Sequence, residues 1–186
     1  MPEEIREDRT KRQLDGALRR LLGEKPLEQI RVRELTELCG IRRQSFYYHF
    51  PDVPALFDWS LARETECLLL GREQCLTWRQ ALASALERIR DNRAYYRALL
   101  AYRGRAGLGE TLALEALLET TLDYYGRRGG SPRASRTELA CWEAVLVSLL
   151  EGWIREEVPG DPAALLDLLE TQAQQGALGA AWRNTR

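Results

Sequence analysis

Apolar residues recur at intervals of three and four along most of the chain, and no strand pattern stands out. Leu14, Leu18, Leu21 and Leu22 share one face of a predicted helix. A Thr10–Gln13 capping box suggests a start near Thr10, and Gly23 and Pro26 end the helix after Leu22. Gly16 inside it costs about 1 kcal/mol relative to Ala, and nothing in the sequence accounts for it. Leu27 and Ile30 then pack a short connector. Val32, Leu35 and Leu38 form an apolar stripe on a second helix, and Phe46 and Phe50 do so on a third. Between them stands Cys39-Gly40-Ile41, where Gly40 supplies the positive φ of a tight turn and Ile41 fills the angle between the helices. Three helices around one small core result.

Asp52 caps a fourth helix, with Pro54 tolerated in its first turn. Leu56, Trp59, Leu61, Cys67, Leu68 and Leu70 give it apolar surface on more than one side, which suits a link between two units. A Thr77–Gln80 capping box opens a helix running from about Trp78 to Ile89, and another spans Arg93 to Tyr102. The Gly-rich stretch Gly104 to Gly109 is expected to break the pattern before a helix from Thr111 to about Tyr125. A second break follows at Gly126 to Pro132, and a Ser135–Glu138 capping box opens the next helix. From Leu139 to Ile154 the apolar positions cover far more than one stripe, so this helix needs burial on two sides. Asp161-Pro162 starts a last helix bearing Leu165, Leu166, Leu168, Leu169 and Ala173. The fold class is therefore all-α, with about nine helices. Residues 1–51 form an N-terminal three-helix unit, and residues 52–186 form a larger helical domain.

The stretch Val32 to Phe50 has the layout of a helix-turn-helix, whose second helix enters the major groove of DNA. Its outer faces carry Arg42, Arg43, Gln44, Ser45, Tyr47 and Tyr48. Arg pairs bidentately with guanine and Gln with adenine, while Ser and Tyr hydroxyls suit phosphates or bases. A plain helical hairpin with a charged surface matches the same loose pattern.

The run Cys39-Gly40-Ile41-x-Arg43-Gln44-Ser45-Phe46-Tyr47-Tyr48-His49-Phe50, followed by Asp52 and Leu56, resembles the signature of the TetR/AcrR family of bacterial transcriptional regulators. It is most similar to the branch around the dihydroxyacetone kinase regulator. The likeness is specific over roughly residues 9 to 60. It implies an operator-binding homodimer, more often a repressor than an activator, in which Arg31 and Arg33 also touch the DNA. It further implies a two-fold interface built from the last two helices, with Val145, Leu146, Leu149, Trp153, Leu165 and Leu169 as its candidates. An effector pocket, for a small molecule or a protein partner, would lie among the middle helices. Trp59, Trp78, Tyr95, Tyr96, Tyr102, Tyr124 and Trp142 are the aromatics available to line it, although helical aromatics are more often plain core. Two positions depart from the pattern. Arg31 stands where a capping Thr is usual, and Val53 where a phosphate-contacting Lys is usual.

Charge adds to this picture modestly. Residues 1–50 hold 11 Lys and Arg against 9 Asp and Glu, while the remainder is net acidic in a 186-residue chain of net charge −1. The asymmetry leans the right way for a DNA-reading N-terminus. No apolar run reaches the roughly 18 residues of a membrane span, and the first residues are charged where a secretory signal needs an apolar core. A cytoplasmic location is expected.

No chemistry of catalysis is legible. There is no phosphate-cradling Gly motif and no nucleophile elbow, so neither an enzyme nor a cofactor is expected. His49 is the sole histidine, which leaves no multi-His metal site. It reads as a helix-end residue contacting phosphate or backbone, or as purely structural. Cys39, Cys67, Cys75 and Cys141 lack paired spacing and read as reduced, buried apolar residues. A thiol sensor on Cys67 and Cys75 is the alternative. The rival to DNA reading as a whole is a helical protein-interaction module that kept this fold and lost DNA binding.

Overall fold

The computed structural model describes residues 3–73, 77–118 and 136–175. Every regular element among them is helical. In chain order these are α1 (Glu3–Leu22), a 3-10 turn (Leu27–Gln29), α2 (Val32–Cys39), α3 (Arg43–His49), α4 (Val53–Glu73), α5 (Trp78–Asp91), α6 (Arg93–Thr111), α7 (Arg136–Ile154) and α8 (Pro162–Gln175). A further helical stretch covers residues 114–118. The Gly126–Pro132 break, Tyr124, Cys75 and the Ser135 cap lie outside the described residues.

The N-terminal trio forms for the reasons its pattern gives. Leu14, Leu18, Leu21 and Leu22 of α1 are buried, as are Leu27, Ile30, Leu35, Phe46 and Phe50. Gly40 ends α2 at φ 64° and ψ 30°, the left-handed conformation that the tight turn requires. Ile41 packs, half-buried, against the core. Two details differ from expectation. Helix α1 begins at Glu3, so Thr10 and Gln13 lie inside it. Leu38 is 43% exposed and leaves the stripe to Val32 and Leu35. An added Cβ at Gly16 would meet nothing within 4 Å, so no close approach explains that glycine.

Helix α4 is the spine. It packs against α1, α5 and α6; α6 also touches α1 and lies along α7, and α5 carries α8. Asp52 caps α4, its Oδ1 accepting from the Ala55 N–H at 2.8 Å. Val53, Leu56, Phe57 and Leu61 are buried in one hydrophobic core that continues from α1 through α8. Thr77 caps α5 in the expected way, its hydroxyl accepting from the Gln80 N–H at 3.2 Å. The Gly-rich stretch does not end α6. Only Gly104 leaves helical geometry, at φ 65° and ψ −162°, a region open essentially to glycine alone. The helix resumes and closes at Thr111, where a new helix was expected to open.

In α7 and α8, Leu146, Trp153, Leu165 and Leu169 are buried within the chain's own core. Trp153 Nε1 donates to the Gly160 carbonyl at 2.8 Å and pins the connector between the two helices. A Cβ on Gly152 would come within 2.8 Å of Val158, so glycine is what lets this connector fold back onto α7. Cys67 and Cys141 are exposed and Cys39 is half-buried, against the expectation of buried thiols.

Where α1, α4, α5 and α6 meet, the core contains charge. Glu64 of α4 is fully buried. Arg19 of α1 donates to its Oε2 at 2.8 Å, Arg88 of α5 donates to both oxygens (2.9 Å at Oε2), and the Tyr96 hydroxyl of α6 donates to Oε1 at 2.7 Å. Arg19 also pairs with Asp15 at 3.1 Å, and its guanidinium lies 3.9 Å over the Tyr95 ring. Ser60 links Asp15 to the Tyr95 hydroxyl. Burial pushes the Glu64 carboxyl up, but Arg88, Arg19 and Tyr96 outweigh it and hold the group below its ordinary range. Burial raises both Tyr95 and Tyr96 well above the usual tyrosine value.

Candidate nucleic-acid interface

The turn at Gly40 sets α3 across α2 with Phe46 as its anchor: Phe46 is fully buried, edge-on to the Tyr47 ring at 5.5 Å and 6.1 Å from Phe50. Holding that one face inward leaves the others outward. Arg42, Arg43, Gln44, Tyr47 and Tyr48 are all exposed, the two tyrosines by 57% and 71%. Arg42 is the N-cap, in extended geometry, and the helix proper begins at Arg43. Ser45 is half-buried. Among the described residues no carboxylate pairs with Arg42 or Arg43, so both guanidiniums are available to an incoming anion. With donors, amide and hydroxyls on a single short helix, the arrangement fits base edges and phosphates in a major groove.

The flanking residues are less free. Arg31 caps α2 through its backbone: its N–H donates to Glu34 Oε2 at 2.9 Å, while the Glu34 carboxylate also pairs with Lys25. The Lys25 hydrogen bond, with help from the Arg31 N–H, holds the Glu34 carboxyl below its ordinary value. Glu34 thus supplies the half of a capping box that accepts from the N-cap N–H, and the Arg31 side chain stays exposed. Arg33 bonds Glu37 one turn on, Nε to Oε1 at 2.6 Å. To reach a phosphate, Arg33 must exchange that partner. His49 is half-buried at the end of α3, with Tyr48 edge-on at 4.9 Å. Val53 is buried at the start of α4 and belongs to the core rather than to the surface.

Of the aromatics considered for an effector pocket, Tyr95 and Tyr102 lie 5.3 and 5.5 Å from the Phe57 ring and Tyr96 lies 5.6 Å from Tyr95, while the Trp78 side chain and Tyr124 are outside what is described. Tyr95 and Tyr96 are buried, with their hydroxyls committed to Ser60 and Glu64. Tyr102 is exposed and reaches Asp58 at 3.3 Å. Trp59 is half-buried between Phe50 and Arg63. Trp142 is half-buried on α7. Of the six interface candidates, Val145 is 54% exposed and Leu149 half-buried. Leu168, on the outer side of α8, is exposed beside them in type though not among those six. The ion cluster at Glu64 was not anticipated. Its signal was faint: Glu64 stands in the polar run Arg63-Glu64-Thr65-Glu66, at helical spacing from the apolar Leu61 and Leu68.

No known protein-family profile matches the chain, and no curated protein is similar to it in sequence. A solved structure titled "Dihydroxyacetone kinase operon activator DhaS" superposes with a TM-score of 0.64 at 18% identity, covering 87% of this chain and 92% of that one. The two share an all-helical fold. Among the described residues no helix is long and apolar enough to cross a membrane.

Proposed function

We propose that the protein is a transcriptional regulator of the TetR/AcrR type, binding an operator as a homodimer. The observation that carries this reading is α3, a helix anchored by Phe46 whose outer faces present Arg42, Arg43, Gln44, Tyr47 and Tyr48 to solvent. Each subunit lays α3 in one major groove, and the half-sites lie about 34–36 Å apart or a multiple of that. Residues 1–51 act as the reading head and residues 52–186 as the sensing and pairing domain. Arg31 and Arg33 add backbone contacts. Pairing uses the outer faces of α7 and α8 around Val145, Leu149 and Leu168, since the remaining interface candidates serve the subunit's own core. An effector bound in the larger domain shifts the dimer between two head separations, with repression as the default mode.

Selection of duplexes from a random pool, followed by gel-shift titration, tests the reading. Recovery of a two-fold symmetric site supports it; binding without sequence preference, or none, rejects it. The second reading, a protein-interaction module, is favoured by the pairing of Arg33 with Glu37 and by the core position of Val53. Both withdraw groups from DNA.

A further inference from the structure

The cluster around Glu64 lies away from the surface proposed to meet DNA, and as a source of stability it is a poor choice. Desolvating buried charges costs about what their pairing returns, and well-packed apolar side chains of similar volume often do better. What the cluster has and an apolar patch lacks is direction. Each oxygen of Glu64 is held by donors from other helices: Arg19 from α1, Arg88 from α5 and Tyr96 from α6. Charge-assisted bonds of this kind are short and angular, so they resist rotation of one helix past another. Arg19 directly follows Leu18, which α1 buries in the core it shares with α2 and α3.

We propose that Glu64 is a positioning residue for DNA reading. It holds α1, and with it α2 and α3, at one angle to the rest of the chain, so that the two α3 helices of a dimer meet both half-sites at once. This rests on the regulator reading above.

Two variants test it. Glu64→Gln keeps the volume and removes the charge. A triple variant, Arg19→Met with Glu64→Leu and Arg88→Met, restores apolar burial without direction and guards against simple misfolding. Hydrogen exchange on the DNA-free full chain is the first readout. Amides of α1 to α3 should exchange about tenfold faster in both variants, while those of α7 and α8 stay within about twofold. Uniform acceleration, or none, overturns the proposal. The second readout titrates each variant against the operator selected by the unaltered protein and against one half-site of it. A loss of roughly tenfold on the whole operator with little change on the half-site is expected, because the second head binds at an effective concentration set by geometry. Equal losses on both, or no loss, overturn it. If the unaltered protein selects no sequence, the regulator reading fails, and the exchange pattern alone decides whether Glu64 positions the three-helix unit.

Discussion

Arginine does two opposite jobs in this molecule. On α3, Arg42 and Arg43 stand in solvent with no carboxylate beside them among the described residues. At the junction of α1, α4 and α5, Arg19 and Arg88 are spent on the buried carboxylate of Glu64. The first pair is exposed and open to a partner. The second pair is committed to Glu64 and bears on how the helices sit. Burial of the acid, not the identity of the base, separates the two roles.

The sharpest way to break this contrast is to remove the acid. Glu64→Leu alone leaves two guanidiniums facing a carboxylate that is gone. Unfolding in urea should show a loss of about 3 kcal/mol, the lower end for a broken buried pair because Arg88 still reaches water. A loss below about 0.5 kcal/mol, the level of an ordinary surface change, would put the cluster among surface pairs. Arg43→Ala inverts the pattern. It should cost about 1–3 kcal/mol in operator binding and relax preference at a single base position, with stability unchanged within about 0.5 kcal/mol. Val145→Glu extends the contrast to α7. The residue is exposed in the single chain, so the subunit should stay folded while sedimentation shows dimers dissociating at lower dilution. A variant that unfolds would mean that Val145 is core.

The smallest effect is with pH. Partners hold the Glu64 carboxyl below its ordinary value of 4.5, so its ionised form favours the folded state. That contribution is complete above pH 4.5 and is lost as pH falls through the lower, folded-state value. The stability gap between the unaltered protein and Glu64→Gln should therefore be flat from neutral pH down to about 4.5 and narrow below it. Urea midpoints across that range decide it; a gap that narrows between neutrality and pH 5 contradicts the paired state.

Much of this contrast was legible from one side only. The exposed face of α3 follows from local rules: Gly40 fixes the turn, Phe46 fixes the inner face, and whatever lies at other angles must point outward. Leu38 escaped that logic because the inward face of α2 is Val32, Leu35, Thr36 and Cys39, at helical spacings of three and four, and Leu38 lies off that face. The junction is non-local. Glu64 finds Arg19 45 residues away and Arg88 24 residues away, and helical spacing within α4 carries no trace of either. The Gly-rich stretch misled for a related reason. Composition marks a break, but α6 has long neighbours on both sides, and its packing on α7 carries the helix past the single kink at Gly104.

The claim on which the rest depends is that α3 reads DNA bases. Titration of the selected operator and of random duplex, at several salt concentrations, with the unaltered protein and with the Arg43→Ala/Gln44→Ala double variant measures this most directly. The account predicts that the double variant keeps its affinity for random duplex while its preference for the operator falls by about tenfold or more. Undiminished preference in the double variant would contradict it and move the reading surface off α3.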